Sequence, residues 1–223
     1  MQSAKCKMQN GKRNGNNAMN LILGSQSPRR RELLERMGLE FRVLTAEIDE
    51  TKYETEDPEA SVRRICEAKA RAVAERLKQE NGQSENHNFP LVLASDTIVV
   101  LDGRILGKPH DEAQAKAMLR ALSGREHAVF TAFTLFRPEA GTEPETHCEK
   151  TWVKFRRLSE AEIAAYVATG EPMDKAGAYG IQGKGMMLVE GIRGDYFTVM
   201  GLPVCALTQA LKRYGIDPLR PSP

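Results

Sequence analysis

Apolar residues along the chain fall into short runs and helical stripes separated by turn-forming clusters, a pattern that predicts strands and helices in succession. Leu21 to Gly24 is a short apolar strand running into Ser25-Gln26-Ser27-Pro28, where a helix carrying Leu33, Leu34 and Met37 begins and Gly38 ends it. Phe41 to Leu44 reads as a second strand, followed by an acidic stretch containing Glu47, Asp49, Glu50, Glu54 and Glu56. Asp57 and Pro58 supply an N-cap and first-turn pair for a helix to about Lys78. That helix places Val62, Ile65, Cys66, Val73 and Leu77 on one face, with Lys69 in the middle of the same face. A polar loop, Gln79 to Asn88, is expected next.

Leu91 to Leu101 reads as a buried strand interrupted by Ser95, Asp96 and Thr97, and Asp102-Gly103 predicts a two-residue hairpin into Arg104 to Leu106. Gly107-Lys108-Pro109 closes that hairpin before a helix from about Asp111 to Leu122, ended by Gly124. Val129 to Phe136 and Thr146 to Phe155 alternate as an antiparallel pair. Ser159 with Glu162 three residues on is a capping box for a short helix ending at Gly170. A glycine-rich stretch from Gly177 to Gly194 follows, and Pro203 starts a last helix to about Tyr214. The fold class expected is α/β, a mixed twisted sheet with flanking helices. Residues 1–19 are polar and expected to be a disordered extension, 20–215 one folded domain, and 216–223 a tail.

Composition narrows the classes of function. Thirty-two basic against 30 acidic residues leave a formal charge of only +2, which excludes a global field for a nucleic-acid polymer. No apolar run approaches the roughly 20 residues that span a bilayer. Cys6, Cys66, Cys148 and Cys205 are scattered without a Cys-x-x-Cys pair, as expected of a reduced cytoplasmic protein. The four histidines have no metal-like spacing, and the chain lacks a P-loop, a dinucleotide fingerprint and a nucleophile elbow.

Four features remain as candidate chemistry. Arg29, Arg30 and Arg31 stack cations at a helix start, where the macrodipole disfavours them and an anion such as phosphate would compensate. The bland alternative pairs them with Glu32 and Glu35. Lys69 either snorkels from its apolar face or enters a polar cavity. Asp96 inside an apolar strand requires a partner: Lys69 as a structural counter-ion, or a divalent metal or an attacking water. Glu50 is a candidate to complete an oxygen-rich magnesium or manganese site. Gly177, Gly180, Gly183 and Gly185 permit close backbone approach, and the Gln182 amide carries both a donor and an acceptor, matching the imide edge of uracil or thymine.

Taken together the chain resembles the Maf proteins, nucleotide pyrophosphatases related in fold to inosine triphosphate pyrophosphatases. The resemblance rests on ordered blocks: Leu21 to Leu34 with its Ser-Pro-Arg-Arg core, Glu67-Ala68-Lys69-Ala70, Ser95-Asp96-Thr97, Gly107-Lys108-Pro109, and Asp174 to Gly183 with Gly201-Leu202-Pro203. It implies two lobes around a cleft, Asp96 as catalytic proton acceptor, and Arg30, Thr97 and Gln182 as setting nucleotide preference. Arg29, Lys69 and Lys108 would hold phosphate. The Tyr-Gly-Ile-Gln-Gly block resembles the branch acting on dTTP and UTP, with a divalent cation as cofactor and a homodimer as assembly. The same resemblance admits two other roles, hydrolysis of modified nucleotides such as 5-methyl-UTP or pseudouridine triphosphate, and nucleotide-dependent regulation of cell division or septation. Ser95 departs from the alanine common before Asp-Thr, and the N-terminal extension lies outside the pattern.

Overall fold

In the computed structural model the residues described are 21–50, 57–81, 89–139 and 141–220. The expected N-terminal extension, Glu54 and Glu56 of the acidic stretch, and most of the polar loop lie outside them. Within them no helix is long and apolar enough to cross a membrane.

The chain enters as β1 (Leu21–Leu23), α1 (Pro28–Arg36), β2 (Arg42–Val43) and α2 (Pro58–Asn81). It continues through β3 (Leu91–Leu101), β4 (Arg104–Leu106), α3 (Glu112–Leu122), β5 (Glu126–Phe136) and β6 (Glu145–Phe155). After α4 (Glu160–Val167) come 3-10 turns at Glu171–Asp174, Ala176–Ala178 and Gly183–Leu188, then β7 (Val189–Arg193), α5 (Tyr196–Met200) and α6 (Val204–Arg213). The expected local signals operate. Asp102 and Gly103 both take positive φ, 51° and 77°, as a tight hairpin turn requires. Asp111 caps α3 by accepting from Gln114 N at 2.7 Å, and Ser159 with Glu162 forms the capping box of α4.

Some boundaries differ from the sequence expectation. The second strand is confined to two residues, and α2 runs on to Asn81, its last turn supported by ion pairs from Glu80 to Arg76 and Arg42 at 3.2 and 3.4 Å. The glycine-rich stretch from Gly177 to Gly194 folds as 3-10 turns leading into the edge strand β7.

The seven strands form one mixed sheet in the order β2-β1-β3-β5-β6-β7, with β4 also paired to β3. β2, β1 and β3 are parallel, and the remaining pairings are antiparallel. β5 covers one edge of β3 from Val92 to Val100. The other edge is shared: β1 pairs with Leu91 to Leu93, and β4 with Val99 to Leu101. Between these partners, residues 94–98 carry no strand on that side among the described residues.

Side-chain alternation along β3 makes this gap chemically uneven. On one face Val92, Ala94, Ile98 and Val100 share a single core with Val62, Cys66, Val73 and Leu77 of α2, and only Asp96 interrupts it. On the other face Leu91 and Leu93 pack with Leu33 and Leu34 of α1 and Leu207 and Leu211 of α6. Val99 and Leu101 pack instead with Leu119 and Leu122 of α3 and Ile163 of α4. Ser95 and Thr97 stand where these two cores part. Each fully buried aliphatic side chain favours folding by about 1.5–3 kcal/mol, so each lobe has its own apolar anchor and the gap between them stays polar.

Candidate active site

A cleft of about 580 Å³ opens at the unpaired stretch of β3. Its lining brings together Arg29, Arg30, Glu50, Lys69, Asp96, Thr97, Lys108 and Gln182, the residues assigned a site role above. They arrive from the α1 N-terminus, the segment after β2, the centre of α2, β3, the turn after β4 and the glycine-rich turns. Placement at the carboxyl end of β1, beside a helix N-terminus, is where open α/β sheets leave room for ligands.

Lys69 does not snorkel to solvent. Its Nζ lies 2.6 Å from Asp96 Oδ1 and 2.7 Å from Glu50 Oε1. Burial alone would lower the ammonium pKa, but Asp96 and Glu50 outweigh it and raise it above its usual value, so the lysine is held as a cation. The structural pairing foreseen for Asp96 and Lys69 is therefore present, and it sits inside the cleft.

Arg30 is held by three acceptors. Nε donates to Gly201 O at 2.8 Å, Nη1 to Ser25 Oγ at 2.9 Å and Nη2 to Thr97 Oγ1 at 3.0 Å. Burial pulls its pKa below the ordinary arginine value, with Asp96 the main opposing charge. Of the five N–H donors of a guanidinium, two remain for a ligand. Behind it, Thr97 Oγ1 meets Thr131 Oγ1 at 2.9 Å, and Thr131 donates to Thr198 O at 2.7 Å. Ser95 Oγ reaches both Ala132 O and Gly201 O, at 2.8 and 3.0 Å, fixing the carbonyl that orients Arg30. Ser95 thus uses its hydroxyl where an alanine would offer none.

The remaining arginines divide between roles. Arg29 lines the cleft, 3.9 Å from Asp174, whereas Arg31 is exposed and absent from the lining. Glu32 pairs with Arg36 at 2.6 Å, not with the first-turn arginines. Lys108 is exposed at the rim, and the Gln182 side chain lines the cleft with no hydrogen-bond partner among the described residues.

Several site residues gave no distinct sequence signal. Ser25, Thr131 and Thr198 act as hydrogen-bond supports, and Gly201 contributes through its carbonyl, which no residue pattern announces. Lys175 borders the cleft with Nζ 2.6 Å from Asp174 Oδ1 and 2.6 Å from Glu171 O. Glu171 in turn accepts from Lys184 N, Gly185 N and Tyr166 Oη at 2.9, 3.0 and 2.9 Å, tying down the turns beyond Gln182. His127, set aside for lack of metal spacing, is buried with Nε2 2.7 Å from the hydroxyl of the cleft residue Tyr179.

His127 also carries a pH prediction. Burial pushes its pKa down from 6.5 to about 4, so the unfolded chain takes up this proton first as the pH falls. Its stabilising neutral state is complete above pH 6.5, and about 3 kcal/mol is lost on the way down to pH 4. Urea unfolding across that range should show this loss in the wild-type protein and its absence from His127→Phe; parallel curves would show that His127 does not resist protonation.

A divalent cation can be tested against the donors present. Glu50 and Asp96 are hard oxygen donors of the right kind, and both face Lys69. Among the described residues no group of three His, Cys, Asp or Glu side chains is gathered for a metal. Magnesium commonly takes one or two carboxylates with the rest from water and substrate phosphates, so Glu50, the more exposed of the two, fits an ion completed by a triphosphate rather than an all-protein cage.

The family model described as Maf-like protein matches residues 20–214. The chain is 50% identical over 197 residues to a dTTP/UTP pyrophosphatase of Moorella thermoacetica, covering 88% of this chain and 96% of that protein. It is 44% identical over 206 residues to a dTTP/UTP pyrophosphatase of Bacillus cereus, covering 92% and 95% respectively. A solved nucleoside-triphosphatase / dITP/XTP pyrophosphatase of Mycobacterium abscessus matches at 17% identity and a TM-score of 0.39, over 90% of this chain and 97% of that one, a likeness too distant to bear on the site. With the match running through both lobes and every block that lines the cleft, the chain belongs to the Maf family.

Proposed function

We propose that the cleft hydrolyses dTTP and UTP to the nucleoside monophosphate and pyrophosphate. The observation that carries this reading is the convergence of Asp96 with Lys69, Arg29, Arg30 and Lys108 in one cleft, next to an unpartnered Gln182 amide. The names of the relatives at 50% and 44% identity support the same chemistry.

The phosphates require cations, and the first turn of α1 offers Arg29 together with the backbone dipole, with Lys108 of the turn after β4 also lining the cleft. Water attacks the α-phosphorus; the new P–O bond forms as the bond to the bridging oxygen of the β-phosphate breaks, and pyrophosphate leaves. Asp96, the carboxylate that β3 presents to the cleft, accepts the proton of that water. Lys69 keeps Asp96 oriented through its 2.6 Å contact and lies ready to share its charge with the phosphate oxygens. Magnesium or manganese, held by Glu50 with the phosphates, would neutralise charge on the triphosphate when bound. Pyrophosphate release from a panel of nucleoside triphosphates tests the reading; no turnover by folded protein supplied with magnesium or manganese would overturn it.

Base choice falls to the glycine-rich turns. The Gln182 amide can accept from the N3–H of uracil or thymine and donate to a neighbouring carbonyl, a pairing that a carboxylate cannot complete. Gln182→Glu is expected to lower the kcat/KM ratio of UTP over GTP by about tenfold or more, as an unpaired buried polar group costs about 1–3 kcal/mol. An unchanged substrate profile would move recognition to backbone groups.

The reading places the enzyme in the cytoplasm as a homodimer. Exposed Met186, Met187, Ile192, Tyr196 and Phe197, on and around edge strand β7, supply apolar surface suited to such a contact. Sedimentation equilibrium gives the state directly, and a monomer across micromolar concentrations would remove the dimer from the reading.

A further inference from the structure

Gln182 can recognise a base only if its backbone is held still, and the strap that carries it has an unusual course. Gly177 and Ala178 take consecutive positive φ values, 68° and 59°, before Tyr179 returns to extended backbone at −152°. A side chain at Gly177 would place its Cβ 2.9 Å from Val99 Cγ1, so the bend is pressed against β3. The left-handed conformation is disfavoured for Ala178, and neighbouring contacts must maintain it. Gly177 N donates to Gly107 O at 3.0 Å and Ala178 N to Lys175 O at 3.1 Å.

Beyond the bend the strap crosses from one core to the other. Tyr179 is buried with Phe155 and Leu188, whereas Ile181 is buried with Leu23 and Leu202. Gly180, between them, lies over Lys175, where a Cβ would come within 2.7 Å of Lys175 Cε. Gln182 is the next residue after this crossing. Two hydrogen bonds to side-chain groups hold the crossing: Gly180 N donates to Tyr166 Oη at 3.3 Å, and the hydroxyl of Tyr179, the crossing residue whose own side chain is so bonded, meets His127 Nε2 at 2.7 Å.

The partner of that hydroxyl is a residue whose burial needs an explanation. His127 is 1% exposed, and its Nδ1 has no hydrogen-bond partner among the described residues. Phe155 and Tyr179 meet the imidazole edge-on, with ring centroids 5.1 and 5.3 Å away. A phenylalanine could fill such a place without leaving a polar nitrogen unpaired, so packing alone does not account for histidine here. Among the described residues its one side-chain hydrogen bond is to Tyr179 Oη.

We propose that His127 is a positioning residue for base recognition: its hydrogen bond to Tyr179 fixes the strap between the two cores and so sets where the Gln182 amide meets the nucleotide base. The proposal rests on the reading of Gln182 as the base-facing residue, but not on turnover. His127 lies behind the cleft wall and acts through Tyr179, without touching substrate.

Calorimetric binding of the α,β-methylene analogues of UTP and GTP, which resist cleavage at the α-phosphate, separates binding from turnover. Four proteins are compared: wild type, His127→Phe, Tyr179→Phe and the double variant. Removing one partner leaves the other unpaired, whereas removing both relieves that penalty, so the double variant should regain urea resistance lost in the single variants. The preference for the uridine analogue should fall by about three- to tenfold in each single variant and stay low in the double variant despite its recovered stability. A preference that tracks stability and returns in the double variant would reduce the bond to a structural role and overturn the proposal. So would equal binding of both analogues by the wild-type protein, or an unchanged preference in Tyr179→Phe, which retains the ring and carries the test alone should His127→Phe fail to fold. Parallel turnover of UTP by the wild type reports separately on the pyrophosphatase reading, since its absence would sink that reading while the binding ratios still decide this one.

Discussion

Asp96→Asn is expected to lower kcat for UTP or dTTP by about 10²- to 10⁴-fold while leaving the protein folded, the range associated with loss of a positioned proton acceptor. The substitution preserves shape, and the gap in β3 places the side chain beside the cleft rather than deep in the α2 core. Lys69 keeps its contact with Glu50 at 2.7 Å, so the variant does not strand a cation. Because the amide cannot take the proton of the attacking water, the loss should appear in kcat, with KM changing less. Pyrophosphate release at saturating nucleotide, together with a thermal melt, provides the measurement. Retained turnover in a folded variant would remove Asp96 from the chemistry and leave it as a counter-ion to Lys69.

Lys69→Met should cost both activity and stability. The lysine stands between Glu50 and Asp96, and an apolar replacement of similar length leaves the two carboxylates facing one another. Stability should fall by about 2 kcal/mol, an order-of-magnitude figure for a half-buried pair that loses its cation. Since the folded-state pKa of Lys69 is raised above 10.5, its contribution is complete below that pH and fades as the pH rises through the raised value. The difference between wild type and variant in urea should therefore be constant from neutrality to about pH 10 and shrink above it. Turnover should fall by about 10²-fold, as expected for the loss of one preorganised charge at a reacting phosphate. Combining Lys69→Met with Asp96→Asn tests whether the pair acts as a unit: a double variant no slower than Asp96→Asn alone would show that Lys69 works through Asp96.

Much of this arrangement is legible in the sequence because the chemistry-bearing residues violate strong local patterns. Asp96 breaks an apolar strand, Lys69 breaks an apolar helical face, and the cations of α1 oppose its dipole, so each demands a partner on sequence grounds alone. The positions that escape notice obey their local patterns or act through backbone. Thr131 and His127 sit in a strand that accepts β-branched and aromatic residues, and Gly201 serves through a carbonyl. β7 is obscured because Glu190, Gly191 and Ile192 of this edge strand are exposed and Gly191 breaks the alternation. α5 is only five residues long, too short for helical periodicity to register. The separation of the two cores across Ser95 and Thr97 depends on which elements pack on each end of β3, information that alternation within one strand does not contain.

That separation bears on how such a protein can change over time. The arginine-bearing end of the cleft is anchored in the core of α1 and α6, while Tyr179 belongs to the core of α3 and α4. Substitutions that repack one core therefore reach the other chiefly through β3, β5 and the short strap from Tyr179 to Ile181. Gln182 follows Ile181 of the α1 and α6 core, whereas Asp96 and Lys69 stand on the α2 face of β3, so an inherited preference for one nucleobase can drift with repacking of the former while the acid and lysine are passed on unaltered. A family built on this division can diversify its diet without reinventing its teeth.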